Sequence, residues 1–154
     1  EPELLILDEP MAGLDPLVRD DLLDGVLRTV CDRERTLVFS SHAMPDVQRM
    51  GDRIGIIDEG VLLYDGPSDT LLNTTKQLRA VLPNGRTPDR LPDGVICHRV
   101  SGREWLITVR DFTPETVRKL TAAGGITHVD VIDLNLEEIF KDYIRGRRAA
   151  TCET

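Results

Sequence analysis

The sequence LLILDEP, residues 4–10, sets the architecture of this chain. Its four leading apolar residues predict a buried β-strand, because strands of a parallel sheet that are covered on both faces read as continuous apolar runs. Ligands in such sheets bind beyond the carboxyl ends of the strands. Asp8 and Glu9 occupy that end. The sequence therefore predicts two carboxylates placed to hold a metal ion and to activate water.

The two adjacent carboxylates have different expected roles, because consecutive residues of a strand point to opposite faces. One can face Mg²⁺, a hard cation that prefers oxygen ligands and keeps several of its water molecules. The other can orient an attacking water or accept its proton. The structural alternative is a strand that ends in a charged turn. That alternative is favoured when an apolar run with an acidic pair is considered alone, so the neighbouring segments decide.

Those neighbouring segments resemble the motifs of ABC-type ATPases. Residues 4–10 look like the Walker B strand, with the catalytic glutamate directly after the aspartate, and residues 11–15 look like the D-loop. Thr36 to His42 is a second apolar strand that runs into a histidine, similar to the switch-histidine loop of the family. Residues 44–66 also resemble the end of these ATPase domains. Three motifs in the family's order identify residues 1–67 as the C-terminal portion of an ABC ATPase domain.

The resemblance implies a role for each matching residue. Asp8 would support the Mg²⁺ that accompanies ATP, Glu9 would polarise the attacking water, and His42 would contact the γ-phosphate and help to place that water. Ser40 and Ser41 have hydroxyls that are available to anchor the loop, without a catalytic role. The D-loop would lie along the interface between two ATPase subunits. Its residues are Ala12, Gly13, Leu14 and Asp15.

Two motifs that complete an ATP site in this family are missing from the 154 residues. No segment fits the phosphate-binding pattern Gly-x-x-x-x-Gly-Lys-Ser/Thr, and no Leu-Ser-Gly-Gly-Gln-type motif precedes the acidic pair. We therefore expect the C-terminal part of an ATPase subunit, which on its own binds ATP poorly and hydrolyses none. A non-enzymatic remnant or interaction module is the alternative interpretation.

Apolar periodicity predicts the organisation of the ATPase-like part. Strand and helix alternate, which predicts an α/β fold with a parallel sheet and crossover helices; the resemblance makes this the C-terminal part of a P-loop NTPase sheet. Asp15 is expected to cap a helix that begins at Pro16, and residues 53–64 predict a hairpin whose tip, residues 58–60, is solvated. One apolar stripe on the helix is expected to be core. It consists of Val18, Leu22, Leu23, Val26, Leu27 and Val30.

Residues beyond Pro67 are expected to form a separate part of the chain. Residues 68–94 predict a helix reaching Leu82 and a linker rich in proline and glycine. Residues 95–146 predict a small α+β appendage of three strands and two helices, without a catalytic site, and residues 147–154 a tail. The segment from Asp133 to Phe140 resembles the tail of ATP-binding subunits that serve separate permeases in bacterial export systems.

Composition limits the expected partners. The net charge of −8 and the pI near 4.9 argue against a nucleic-acid surface, which needs clustered basic residues. Three widely spaced cysteines suit a reducing cytosol, and no apolar run approaches the roughly 20 residues that span a bilayer. The expected partners are a second ATPase subunit and a multi-span permease, which would hold the chain at the cytoplasmic face of the membrane. A soluble ABC-type ATPase that acts on DNA or ribosomes is the alternative, opposed by the charge, the histidine loop and the tail.

Overall fold

The chain forms two compact units, Glu1–Gly51 and Asp52–Thr154. The computed structural model describes residues 3–31, 35–83, 85, 87–88, 90–124, 126 and 128–152. Four positions that the sequence assigns to the linker or to the end of a helix lie outside the described residues. They are Asn84, Arg86, Asp89 and Gly125.

The first unit is a β-α-β arrangement followed by a short helix. Its elements are β1 (Leu4–Leu7), α1 (Pro16–Cys31), β2 (Thr36–Phe39) and α2 (Met44–Met50). The two strands pair in parallel, with Leu4 opposite Thr36 and Leu7 opposite Phe39. The predicted pair of parallel strands joined by a crossover helix is therefore confirmed.

Both helices of the first unit are held at their beginnings. Pro16 is the first residue of α1, and the Leu17 backbone N–H donates to Oδ1 of Asp15 over 3.0 Å, which confirms Asp15 as the cap. The side chain of Arg19 donates from Nε to Oδ2 of Asp46 over 3.1 Å. Since Asp46 is only 4% exposed, this contact fixes α2 against α1. It thereby restricts the conformations that are open to the loop preceding α2.

The prediction that β1 is buried is wrong for one of its faces. Leu4 is 49% exposed, Ile6 is 68% exposed, and Val38 of β2 is 52% exposed. Burial alternates along both strands, because the described part of this two-stranded sheet has cover on one side only. An apolar run of this kind is typical of a strand that is buried on both faces. The described residues of the first unit bury only one face of the two-stranded sheet.

The predicted core stripe of α1 is also only partly correct. Leu23 is 2% exposed, whereas Val18 is 52% exposed and Leu22 is 36% exposed. Val26 and Leu27 are half-buried. A helix that packs against one layer buries a single narrow stripe, and the described residues of this unit provide no second layer for the rest of the apolar surface.

The second unit begins with the predicted hairpin. Strands β3 (Arg53–Asp58) and β4 (Val61–Pro67) are antiparallel. Glu59 and Gly60 have φ values of 46° and 77°, as a two-residue type I′ turn requires. The solvated tip is confirmed for Glu59 but is wrong for Asp58, whose side chain is 14% exposed and lies 3.6 Å from Nη1 of Arg147. The last helix therefore reaches the hairpin turn.

Residues 68–82 do not form the single helix that their composition predicts. Helix α3 (Ser68–Thr74) is followed at once by strand β5 (Lys76–Val81). The strand sequence KQLRAV contains several good helix formers, but it pairs on both sides with other strands. Leu78 and Ala80 are fully buried. Pairing with two neighbouring strands and the burial of every second side chain outweigh the local helix preference here.

A four-stranded antiparallel sheet forms the centre of the second unit. The remaining elements of the second unit are β6 (Val95–Ser101), β7 (Glu104–Val109), α4 (Pro114–Gly124), β8 (Val129–Asp133) and α5 (Leu136–Cys152). The strand order is β6-β7-β5-β8. The two predicted helices α4 and α5 are confirmed. The prediction of three strands is wrong, because β5 is a fourth strand that lies between β7 and β8. Side chains from one face of the sheet and from α4 form the core together with Leu82, which follows β5, and Ile126. The other core residues are Leu78, Ala80, Trp105, Ile107, Val109 and Leu120.

Helix α5 packs very closely on the edge strand β6. A Cβ atom placed on Gly146 would lie 1.9 Å from the carbonyl oxygen of Ile96, which sits where the strand register shifts. The Thr108 hydroxyl donates over 2.6 Å to the carboxylate of Asp142, which is 3% exposed. These two contacts fix the position of α5 relative to the sheet.

Candidate functional site

The acidic pair and the histidine loop lie at the carboxyl ends of two adjacent parallel strands. Asp8 and Glu9 follow β1, and Ser40 follows β2. The Ser40 backbone N–H donates to the Leu7 carbonyl over 2.9 Å, so the ladder continues to the last residue of β1. This is the edge at which open α/β sheets bind ligands.

Ser40 connects the ends of the two strands through its side chain. Its Oγ accepts a hydrogen bond from the Glu9 backbone N–H over 2.9 Å, and its hydroxyl donates to Oδ1 of Asp8. The same hydroxyl therefore contacts both members of the acidic pair. Ser41 makes a different contact, since its Oγ accepts from the Ala43 N–H over 3.1 Å and supports the turn into α2.

Glu9 and His42 are brought into direct contact. Nδ1 of His42 lies 2.8 Å from Oε2 of Glu9, and the two side chains are 79% and 37% exposed. Because a carboxylate only accepts hydrogen bonds, Nδ1 carries the hydrogen in this contact. Glu9 has a φ of 45°, a left-handed conformation that is uncommon for residues other than glycine and that concentrates at functional sites.

The segment predicted to face a second subunit is an exposed turn. Residues 12–15 are all exposed. Met11, which precedes them, is buried, with 5% of its surface exposed, and holds the start of the turn in place. The Ala12 N–H donates to the Glu9 carbonyl over 3.0 Å. Gly13 has a φ of 75°, a left-handed conformation that glycine adopts without steric cost. The acidic pair and this segment therefore belong to one continuous loop.

Oxygen donors at the strand ends match the chemistry of a magnesium ion. Asp8 offers an exposed carboxylate beside the Ser40 hydroxyl. Mg²⁺ is commonly bound through one or two carboxylates while it keeps several waters and shares the phosphates of its nucleotide. In the described part of the chain no three histidine, cysteine or acidic residues form a ready metal cluster. The oxygen atoms of Asp8 and Ser40 are of the kind that would hold a magnesium ion bound together with a nucleotide.

The two other histidines have partners within the second unit. Nε2 of His128 lies 2.9 Å from Oδ1 of Asp130, and Nδ1 of His98 lies 3.4 Å from the indole nitrogen of Trp105.

The second unit also contains a cavity of about 580 Å³ beside the Cys97 thiol. Burial raises the pKa of this thiol to about 11, so it stays largely protonated near neutral pH and should react slowly.

Sequence comparisons relate the chain to ABC transporter ATPases. No family profile matches it. The glycine betaine/proline betaine transport system ATP-binding protein of Escherichia coli is 38% identical over 72 residues, 47% of this chain and 18% of that protein. An energy-coupling factor transporter ATP-binding protein of Clostridium tetani is 37% identical over 53% of this chain and 28% of its own length. Nod factor export ATP-binding protein I of Neorhizobium galegae is 34% identical over 59% and 26%.

The homologues are thus ATP-binding proteins of ABC transporters that match partial stretches of this chain. The mixed α/β structure with its parallel strand pair is consistent with the C-terminal part of an ABC ATPase, a P-loop NTPase. These alignments cover less than a third of the length of the three curated relatives. None of the helices in the described ranges is long and apolar enough to cross a membrane.

Proposed function

We propose that this chain supplies part of the ATP-hydrolysing site of an ABC transporter subunit. The contact between Glu9 and His42 carries the proposal, because it joins the two residues expected to act on water and on the γ-phosphate. The contact lies beside Asp8 at the carboxyl ends of β1 and β2. The similarity to ABC transporter ATP-binding proteins supports the same interpretation.

Each side chain has a distinct task in this proposal. Asp8 would support the magnesium ion with its exposed carboxylate, and the ion, when bound with ATP, would neutralise phosphate charge. Glu9 orients the attacking water and accepts its proton. When both ring nitrogens of His42 are protonated, Nδ1–H donates to Glu9 and Nε2–H is available to a phosphate oxygen. The glutamate and the histidine thereby hold each other in place at the reacting centre.

The remaining parts of the proposal concern assembly. Residues 1–67 form the C-terminal portion of the ATPase domain, and residues 12–15 face a second ATPase subunit. Residues 95–146 form an appendage whose sheet also takes in β5 from the helix-containing segment of residues 68–94, and α5 continues into the proposed tail at 147–154. The whole protein couples hydrolysis to export through a partner permease at the cytoplasmic face of the membrane. The resemblance of the segment from Asp133 to Phe140 supports the export direction, and one relative is named as an export protein.

The direct test compares ATP binding and Mg²⁺-dependent turnover of the 154-residue chain with those of the product extended upstream in its reading frame. We expect that only the extended protein binds and hydrolyses ATP, since the phosphate-binding pattern is missing from these residues. If both proteins are inactive while they remain folded, the ATPase proposal is wrong. A non-enzymatic interaction module then becomes the better interpretation. Turnover that depends on DNA or ribosomes would instead support the soluble ATPase.

The catalytic assignment is tested by Glu9→Gln in the extended protein. The substitution keeps the shape of the side chain but removes its charge and its capacity to accept a proton. We expect turnover to fall by roughly 10²–10⁴-fold while ATP binding is preserved. Glu59→Gln is a matched control, because Glu59 is also a glutamate with a left-handed backbone, at φ 46° against 45° for Glu9. Near-normal turnover of Glu9→Gln would refute the assignment.

A further inference from the structure

We infer that Ser40 is a positioning residue for the acidic pair, acting through one hydroxyl that holds both Asp8 and Glu9. This inference deepens the proposed function and rests on it for its catalytic consequence. Its structural part stands on contacts that involve no nucleotide. The Glu9 N–H donates to Ser40 Oγ over 2.9 Å, and the Ser40 hydroxyl donates to Asp8.

The contact to Asp8 sets the direction of a metal-binding carboxylate. Asp8 is exposed, so without a partner its side chain would sample several rotamers in solvent. A hydroxyl that donates to a carboxylate forms a charge-assisted hydrogen bond, which is stronger than a bond between neutral groups. One oxygen of Asp8 is thereby engaged by Ser40, and the carboxylate is presented to the ion in a restricted set of orientations.

The contact to Glu9 supports a strained backbone. The φ of 45° is unfavourable for a residue with a Cβ atom and persists only when surrounding contacts hold it. Ser40 provides such a contact, since its Oγ accepts the hydrogen bond from the Glu9 N–H itself. The same backbone turn carries the Glu9 side chain to within 2.8 Å of His42. Loss of the acceptor therefore weakens the arrangement that brings glutamate and histidine together.

The position of Ser40 in the fold allows this double contact. Its own N–H continues the parallel ladder by donating to the Leu7 carbonyl over 2.9 Å. The side chain is thus placed opposite the first residues beyond β1, which are Asp8 and Glu9. Ser41 lies one residue further along and contacts Ala43 instead. Two neighbouring serines therefore have separable roles, and the chain itself offers a matched control.

The first experiment measures amide hydrogen exchange of Glu9 without nucleotide, in the 154-residue chain and in the product extended upstream. Ser40→Ala removes the acceptor and should speed exchange at Glu9 by about 10-fold, the factor for one hydrogen bond of roughly 1.4 kcal/mol. Ser40→Thr retains a hydroxyl and should restore slow exchange. Ser41→Ala should leave the Glu9 amide protected and affect Ala43 instead. Thermal unfolding of each variant shows whether the fold is preserved.

The second experiment measures turnover of the extended protein against Mg²⁺ concentration. We expect Ser40→Ala to raise the half-saturating Mg²⁺ concentration and to lower kcat, each by about 10-fold, with rescue by Ser40→Thr. Ser41→Ala should change both values less than Ser40→Ala does.

The two experiments separate failure of this inference from failure of the proposed function. If Glu9 exchange is unchanged in a folded Ser40→Ala variant, Ser40 does not hold the acidic pair, whether or not the protein hydrolyses ATP. If exchange rises but turnover and Mg²⁺ dependence stay as in the active wild-type protein, the positioning role in catalysis is wrong. If exchange rises and the extended wild-type protein has no turnover, the structural link is supported and the proposed function has failed.

Discussion

Replacing Gly146 with alanine is expected to destabilise the second unit, because α5 crosses β6 at a distance that leaves no space for a methyl group. The added Cβ would lie 1.9 Å from the carbonyl oxygen of Ile96 and 2.9 Å from its carbonyl carbon. Both are backbone atoms, so they cannot rotate away as the end of a flexible side chain can. The helix or the strand must move to accept the substitution.

The expected magnitude follows from opposing effects. Ordinary van der Waals contact begins at 3.4 Å, so the two elements must separate by about 1.5 Å, which disrupts close packing on both sides. Overpacking of this kind costs about 1–3 kcal/mol and occasionally more, whereas alanine regains about 0.5–1 kcal/mol of helix preference over glycine. Because the overlap is with backbone atoms, we expect a packing cost near the upper end of that range and thus a net loss of about 2 kcal/mol. For a unit of about 100 residues this lowers Tm by roughly 8–16 °C.

The assay uses the fluorescence of Trp105, the one tryptophan of the sequence. Trp105 is fully buried in the sheet of the second unit, so its emission reports the unfolding of that unit. Gly25→Ala is the matched control, because Gly25 lies within α1 and a Cβ atom there has no neighbour within 4 Å. It should stabilise the first unit by about 0.5–1 kcal/mol and leave the tryptophan transition unchanged. A Gly146→Ala protein with an unaltered tryptophan transition would refute the argument from close approach.

Three further predictions concern the second unit. Thr108→Val should lower its stability by about 1–3 kcal/mol in tryptophan-monitored unfolding, because the buried carboxylate of Asp142 loses a donor; no change would mean that water replaces the hydroxyl. The Cys97 thiol, whose pKa is raised to about 11 by burial, should react with iodoacetamide near neutral pH more slowly than in the unfolded chain, in a variant that lacks the other two cysteines; equal rates would contradict this. Arg53 holds the pKa of Asp65 below its ordinary 3.8, so their contact stabilises the fold above that pH and the gain is lost as pH falls through the lowered pKa. Arg53→Gln should return the pKa of Asp65 to its ordinary value in an NMR titration, and an unchanged titration would exclude the ion pair as the cause.

Local signals in the sequence were sufficient where one short segment specifies its own structure. Asp15 before Pro16 predicted the start of α1, because the cap and the fixed proline φ act within three residues. The hairpin around Gly60 was likewise predicted from alternating strands and a turn residue. Strand β5 was missed since Leu78 and Ala80 are buried by strands that arrive later in the chain. Its own residues favour a helix, so only the tertiary partners show that it is a strand.

Burial of the first unit was overestimated for a related reason. The apolar run from Leu4 to Leu7 predicts cover on both faces, and the described residues cover only one of them. The pattern reports the environment for which the strand is suited, whereas exposure is a property of the elements that are present. Exposed Ile6 and Val38 are therefore explained by the absence of a covering layer in the described part of this unit.

The candidate site shows how topology separates two segments with nearly the same local chemistry. Asp8-Glu9 and Asp58-Glu59 are both acidic pairs, and in each the glutamate has a left-handed backbone, with φ of 45° and 46°. A search for acidic pairs or for backbone strain would select them equally. The difference lies in what the fold brings beside them: a parallel strand delivers Ser40 and His42 to the first pair, whereas α5 delivers a guanidinium to the second. The second pair is thereby engaged in ion pairs with one arginine, while the first keeps an exposed carboxylate and a histidine partner. For this reason the contacts of Ser40 and His42, more than the acidic residues themselves, distinguish the site that we propose for ATP hydrolysis.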